Sequence, residues 1–319
     1  MSTAKKVASL LLSVAVLFAL SVFLSAPERY AESVLNGISL WAASVLPAAF
    51  PFLFLTALFT GLKPFAALSG KISPVTGKVF RVSGAGGGAA MLAALSGYPV
   101  GARMLFDLKS EGRISDEETF RLACLCTTSG PNFLVGTVGS MMLGNTKAGW
   151  ILLLAHLLSV WIVCFCLRFT AKGKFISLPP PPKKRDDLLY ESLYGAVISV
   201  LCVGGFIALF ACFGQMLCEF GLFKGLAALT GGDPVLTEGV CRGLLEMTTG
   251  VAVLSGLSGP LPLAISCALV TFGGVCVLCQ QAAYLTRAGV KMLPFLAVKA
   301  IQAILAFGLC YLLVLAFQL

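Results

Sequence analysis

Four short polar interruptions, set inside long apolar stretches, are where this chain could do chemistry. The first is Ser96-Gly97-Tyr98-Pro99 and the second is Thr127-Thr128-Ser129-Gly130-Pro131-Asn132. The third runs from Glu246 through Thr248, Thr249 and Gly250, with Ser255 and Ser258 beyond it. The fourth is Gly273-Gly274, followed about two turns later by Gln280 and Gln281. Gly and Pro interrupt a helix and free backbone N–H and C=O groups that an intact helix keeps to itself. Hydroxyls and amides beside such breaks can hydrogen-bond a small polar solute. The candidate substrate-binding residues are Ser96, Tyr98, Thr128, Ser129, Asn132, Glu246, Thr249 and Gln280. The competing reading is packing, since Gly, Ser and Thr also line ordinary helix contacts in membranes.

Glu246 is the most informative carboxylate, because the other acidic residues can lie in loops or near helix ends. It is expected to couple transport to a proton or cation, or to orient substrate. A structural ion pair with Arg242, four residues earlier, is its alternative role. His156, the one histidine, sits in an apolar run and is expected to be a satisfied packing residue, with contact to the breaks as the other reading. A lone His makes no zinc site. The 12 cysteines lie almost all in apolar runs, where a thiol behaves as a small hydrophobe. The pair Cys276 and Cys279 lacks the exposed helix start of a redox motif. No cofactor or metal is expected. The chain has no Gly-rich loop ending in Lys-Ser/Thr, no HExxH and no Gly-x-Ser-x-Gly elbow, so an enzyme is not expected either.

Composition fixes the medium in which these breaks sit. Of 319 residues, 58% are hydrophobic and 12% charged, and the mean hydropathy is +0.95. A soluble domain carries about 25% charged residues. The apolar residues come in runs long enough for roughly six to eight membrane spans at about 20 residues each. The net charge of +9 reads as loop lysines and arginines on the inner face of a membrane, not as a nucleic-acid surface. The expected partners are the lipid bilayer, a small-molecule substrate and a coupling proton or cation, with no nucleic acid; a homo-oligomer is allowed for.

The spans are expected at about 7–24, 33–61, 149–169, 190–217, 261–284 and 293–317. Lys5 and Lys6 before the first put the N-terminus in the cytoplasm, and that stretch reads as an uncleaved span. Pro47 and Pro51 are expected to kink or break the second span. Residues 84–101 and 239–259 read as re-entrant or broken segments, and 117–143 as a helix interrupted at 128–132. Ser115 and Glu118 form a capping box in front of it. The run Pro179–Pro182 followed by Lys183-Lys184-Arg185 is a stiff basic linker. With the two short segments re-entrant, nearly all loop lysines and arginines face the cytoplasm, leaving Arg29, Lys147, Lys224 and Arg242 outside. Lys299 is expected near the cytoplasmic end of the last span, snorkelling to the interface.

The resulting order of elements repeats. Residues 33–169 give span, re-entrant segment, broken span and span, and residues 190–319 give the same order from the opposite side. The expected architecture is all-α: a polytopic membrane protein with an N-terminal helix (1–32), two inverted repeats (33–169 and 190–319) containing re-entrant or broken helices, and a cytoplasmic linker (170–189). Inverted repeats are common in secondary transporters.

The motifs SGYPVGARM at 96–104, GRISDEETFRL at 112–122 and TTSGPNFLVGTVG at 127–139 resemble the nucleoside-recognition, or Gate, domain proteins, and among them the sporulation integral membrane protein branch. In the second half, RGLLEMTTG at 242–250, Phe272-Gly273-Gly274 and Gln280-Gln281 resemble the same family. The resemblance spans roughly residues 40–315. It implies distant kinship to concentrative nucleoside transporters and a bacterial cell-membrane location, or the outer forespore membrane in a spore former. It also implies a small planar polar or anionic solute, with dipicolinate moved during sporulation as the example. The readings to separate are thus a secondary or facilitated transporter of such a solute, a nucleoside-type transporter, and a non-transporting scaffold in spore envelope assembly.

Overall fold

The structure is a computed structural model that describes residues 3–98, 100–171 and 187–319. Pro99 and the segment carrying Pro179–Pro182 and Lys183-Lys184-Arg185 lie outside the described residues. Every regular element among the described residues is helical. The first part contains α1 (Thr3–Ser25), α2 (Pro27–Leu40), α3 (Leu46–Gly61), α4 (Lys63–Phe80), α5 (Gly84–Ser96), α6 (Val100–Ser110), α7 (Asp116–Cys126) and α8 (Thr146–Leu167). The second contains α9 (Leu188–Glu219), α10 (Leu222–Thr230), α11 (Pro234–Leu245), α12 (Met247–Leu254), α13 (Pro260–Phe272), α14 (Gly274–Arg287) and α15 (Met292–Ala316).

Among the described residues, five stretches are long and apolar enough to cross a membrane: Pro27–Phe59, Thr146–Thr170, Leu188–Glu219, Pro260–Arg287 and Met292–Ala316. A sixth arises if α4 and α5, which meet at 93°, count as one broken span. In α1 the apolar part, Ser13–Ser25, is shorter than these. The outer faces of the long helices are apolar. On α15, Leu293, Ile301, Ile304, Leu312 and Leu315 are exposed, while Phe295, Lys299, Gln302, Ala306 and Cys310 point inward. So much exposed apolar surface is the mark of a helix in lipid, not in water. The molecule is a multi-pass membrane protein.

Pro47 and Pro51 do not break the second span. A π-helical turn over Trp41–Val45 precedes Pro47, and the chain continues as helix to Gly61. That turn is held from outside, where Trp41 Nε1 donates to the Val200 carbonyl of α9 at 3.1 Å. A wider turn absorbs a lost backbone hydrogen bond without ending the helix.

The interrupted segments pack in two pairs. α5 ends at Ser96 and α7 at Cys126, and the two breaks touch. Gly97 takes φ +72°, and a Cβ there would lie 2.7 Å from the Gly130 nitrogen. α11 and α12 fold back on each other around Glu246, with Gly250 against Gly243. Gly274, at φ +67°, lies against the Gly243, Leu244 and Leu245 carbonyls at the end of α11; the Cβ of any other residue there would meet the Gly243 oxygen at 2.9 Å. Only glycine combines that backbone angle with that approach.

The expected capping box at Ser115 forms by half. Ser115 Oγ accepts from the Glu118 N–H at 3.3 Å. The Glu118 side chain turns away to accept from the Ser83 N–H at 2.6 Å, where α5 begins. Tertiary contact outcompetes the local bond, and α7 thereby fixes the start of α5.

Candidate functional site

The four breaks meet at one cleft with about 600 Å³ of empty volume, counting its open mouth. Its polar wall holds Ser96 and Tyr98 from the first break, Ser129 and Asn132 from the second, Glu246 and Thr248 from the third, and Gln280 beyond the fourth. Apolar side chains complete it: Val45, Ala49 and Leu53 from the second span, and Val200, Val203 and Ile207 from α9. A mostly apolar cleft with a few convergent polar groups is the usual form of a small-molecule site.

Glu246 ends α11 and begins α12. Its carboxylate is buried, with Oε1 accepting from the Thr248 N–H at 2.9 Å and Oε2 from the Thr249 N–H at 2.7 Å. This is an N-cap in which the carboxylate faces the positive end of its own helix. The ion pair with Arg242 does not form. Arg242 Nε donates to Glu238 Oε1 at 2.7 Å, and a second guanidinium nitrogen reaches Gln215 Oε1 at 3.3 Å. Four residues would bring Arg242 and Glu246 together only on a continuous helix, and the helix stops between them.

Six of the eight residues singled out above line the cleft, and Thr128 and Thr249 stand behind it. Thr128 Oγ1 lies 2.6 Å from His156 Nε2. The Thr249 hydroxyl donates to the Glu246 carbonyl at 3.0 Å, inside the cap. Asn132 Oδ1 is buried with no protein partner, an acceptor left over at the cleft wall. Gln280 Nε2 reaches Cys276 Sγ at 3.4 Å. Its neighbour Gln281 is buried with an unpartnered Oε1, but does not line the cleft.

His156 is more than packing. It is fully buried on α8 and joins the second break to the end of α13. The Ser129 N–H donates to Nε2 at 3.0 Å, which makes Nε2 the acceptor. Nδ1 then carries the proton and donates to Thr271 Oγ1 at 2.9 Å, and that hydroxyl passes its own proton to the Cys267 carbonyl at 2.7 Å. The ring is a neutral rivet between the two halves of the chain.

Lys299 is the residue that sequence reasoning misplaced. It does not snorkel. It is 1% exposed, and its Nζ donates to the Thr127 carbonyl at 2.9 Å and to Tyr98 Oη at 3.2 Å. Tyr98 Oη lies 3.3 Å from the Thr271 carbonyl, so the first, second and fourth breaks are tied through these two side chains. The signal was available: an ionisable residue in an apolar run, with Glu246 the nearest acid in sequence 53 residues earlier, is by default a functional candidate.

The chain superimposes on solved structures of the transporter CNTnw, a concentrative nucleoside transporter. The outward-facing state gives a TM-score of 0.60 at 16% identity, covering 96% of this chain and 85% of that one. An intermediate state of the same protein gives 0.56 at 13% identity with the same coverage. At such identity the likeness is one of fold. In sequence, the chain is similar to the sporulation integral membrane protein YlbJ of Bacillus subtilis (strain 168), at 27% identity over 94% of this chain and 81% of that protein. No family model matches the chain.

Proposed function

We propose that this protein is a secondary or facilitated transporter of a small polar solute. The carrying observation is that four breaks, spread over nearly two hundred residues, bring their polar groups to one cleft. A scaffold needs no such convergence. The likeness to CNTnw in fold and to YlbJ in sequence supports the same reading. Ser96, Tyr98, Ser129, Asn132, Glu246 and Gln280 contact the solute, while Thr128 and Thr249 hold the breaks in shape. The N-terminus is cytoplasmic, and residues 33–169 and 190–319 are inverted repeats around the cleft, each giving one of the two paired breaks. In a spore former the protein sits in the cell membrane or outer forespore membrane.

Dipicolinate is the first solute to try, on the resemblance to the sporulation branch. A nucleoside-type solute is the second, and one observation favours it. The cleft presents the Glu246 carboxylate and the unpartnered Asn132 Oδ1, both acceptors. Acceptors suit a solute that offers hydroxyl or N–H donors, whereas a dianion would meet a like charge. The experiment is uptake of labelled dipicolinate into liposomes holding the purified protein, with a nucleoside as competitor. Saturable uptake unaffected by the nucleoside supports the first solute. Uptake of labelled nucleoside without dipicolinate uptake supports the second. Correctly inserted protein that moves neither, nor any other small polar solute tried, refutes the transporter reading and returns the scaffold.

A further inference from the structure

Lys299 is a positive charge inside the membrane, and it makes no ion pair with a carboxylate among the described residues. Its surroundings are nonetheless built for a cation. α7 ends at Cys126, so the carbonyls of its last turn point out of the helix with the negative end of its dipole. Lys299 Nζ takes the Thr127 carbonyl just beyond that end. Tyr98 adds its hydroxyl oxygen at 3.2 Å. One turn along α15, Gln302 Nε2 donates to the Cys124 carbonyl at 3.0 Å, satisfying a second orphan on the same helix end. Both groups that hydrogen-bond the ammonium are oxygen acceptors.

Half-helix C-terminal ends and unwound carbonyls are where transporters with broken helices hold a soluble coupling cation. We infer that in this protein such a cation site, formed by the Thr127 carbonyl and Tyr98, is filled by the Lys299 ammonium as a tethered cation, so that no soluble cation binds there. The charge cannot dissociate during a transport cycle. It holds the first and second breaks together permanently, and solute binding does not wait on a free ion. The flux consequence rests on the transporter reading; the binding consequence does not.

The test is therefore made first on stability. Lys299→Ala removes Cγ, Cδ, Cε and Nζ, the atoms of propylammonium. Thermal unfolding of the purified wild type and K299A is measured at constant ionic strength in choline, sodium, methylammonium and propylammonium chlorides, with n-propanol as the uncharged control. The wild type is expected to melt at the same temperature in all four salts. K299A is expected to melt lower in choline and to gain a saturable rise, about 2 °C at ten times Kd, with propylammonium or a smaller cation and not with n-propanol. Saturable sodium-specific stabilisation of the wild type overturns the inference, and so does a K299A protein that no small cation raises above choline or that n-propanol raises equally. If K299A folds only when purified in an alkylammonium salt, the cation is replaceable and the inference stands. If K299A and Lys299→Met fold in none of the salts, a soluble cation does not substitute and it falls. Once a transported solute is known, wild-type uptake is expected to be the same in sodium and choline. Absence of any flux at all counts against the transporter reading and leaves the melting result intact.

Discussion

Glu246 has two jobs in this structure, and a pair of substitutions separates them. As a cap, its two carboxylate oxygens take the Thr248 and Thr249 N–H groups at 2.9 and 2.7 Å. As part of the cleft wall, the same group would contact the proposed solute. In Glu246→Gln the amide oxygen keeps one N–H, and the other faces an NH₂ group. A buried donor left without a partner costs about 1–3 kcal/mol. Taking about 2 kcal/mol, the melting temperature of a 319-residue chain should fall by roughly 3 °C, less whatever is recovered by no longer burying a charge. Glu246→Asp behaves differently. Asp is among the best N-caps and keeps both acceptors, so Tm should stay within about 1 °C. Its carboxylate, however, is withdrawn from the cleft by one methylene, about 1.5 Å. Losing a charge-assisted hydrogen bond to the solute costs about 1.5–3 kcal/mol, or roughly 10- to 150-fold in the KM of uptake. The assay is a melting curve beside a liposome uptake curve for each variant. Wild-type uptake by E246D, with E246Q losing stability and uptake in parallel, would show that Glu246 is a helix cap only and refute the solute contact. Unchanged pH and ion dependence in an active E246Q would remove the coupling role as well.

Three further outcomes are expected. Gly101→Ala should sharply reduce the folded yield, because a Cβ there lies 1.9 Å from the Cys126 carbonyl oxygen, and backbone does not yield cheaply; Gly225→Ala, with open space around it, should express normally. His156→Phe keeps a planar ring in the site but leaves the Ser129 N–H unpaired. It should lower Tm by several °C, at about 1–3 kcal/mol for the lost partner, and a melt equal to wild type would mean that the rivet carries nothing. For the topology, single cysteines at Ser110 and Thr230 should be labelled by an impermeant maleimide from opposite faces, Ser110→Cys only after permeabilisation. This is done with the exposed Cys166, Cys202 and Cys279 and the half-exposed Cys218 and Cys241 replaced, so that the introduced thiol is the accessible one among the described residues. Labelling of both from one side refutes the inverted arrangement.

Most of the elements were legible in the sequence because their causes are local. An apolar run of span length is helical in lipid whatever it packs against, and a Gly or Pro cluster interrupts it at a readable place. The interruption before Asn132, the fold-back at Glu246 and the break at Gly273 all lie where residue types put them. Local rules overreached at Pro47 and Pro51, where a π-helical turn braced by Val200 of a distant helix keeps the span whole. They overreached again at Glu118, drawn from its capping box by Ser83, and at Arg242, whose expected partner lies past the end of the helix.

The sequence by itself determined the medium, five of the six expected spans and the positions of the breaks, since hydropathy and backbone restriction act over a few turns. Only the tertiary structure decided which breaks meet and what joins them. His156 finds Thr271 at a separation of 115 residues, and Lys299 finds Thr127 and Tyr98 at 172 and 201. A lysine in an apolar run can reach for the interface or for a helix end, and its own neighbours in sequence do not choose between them. The choice falls inward here because α15 turns the face carrying Lys299 and Gln302 toward the open end of α7, where buried carbonyls need donors.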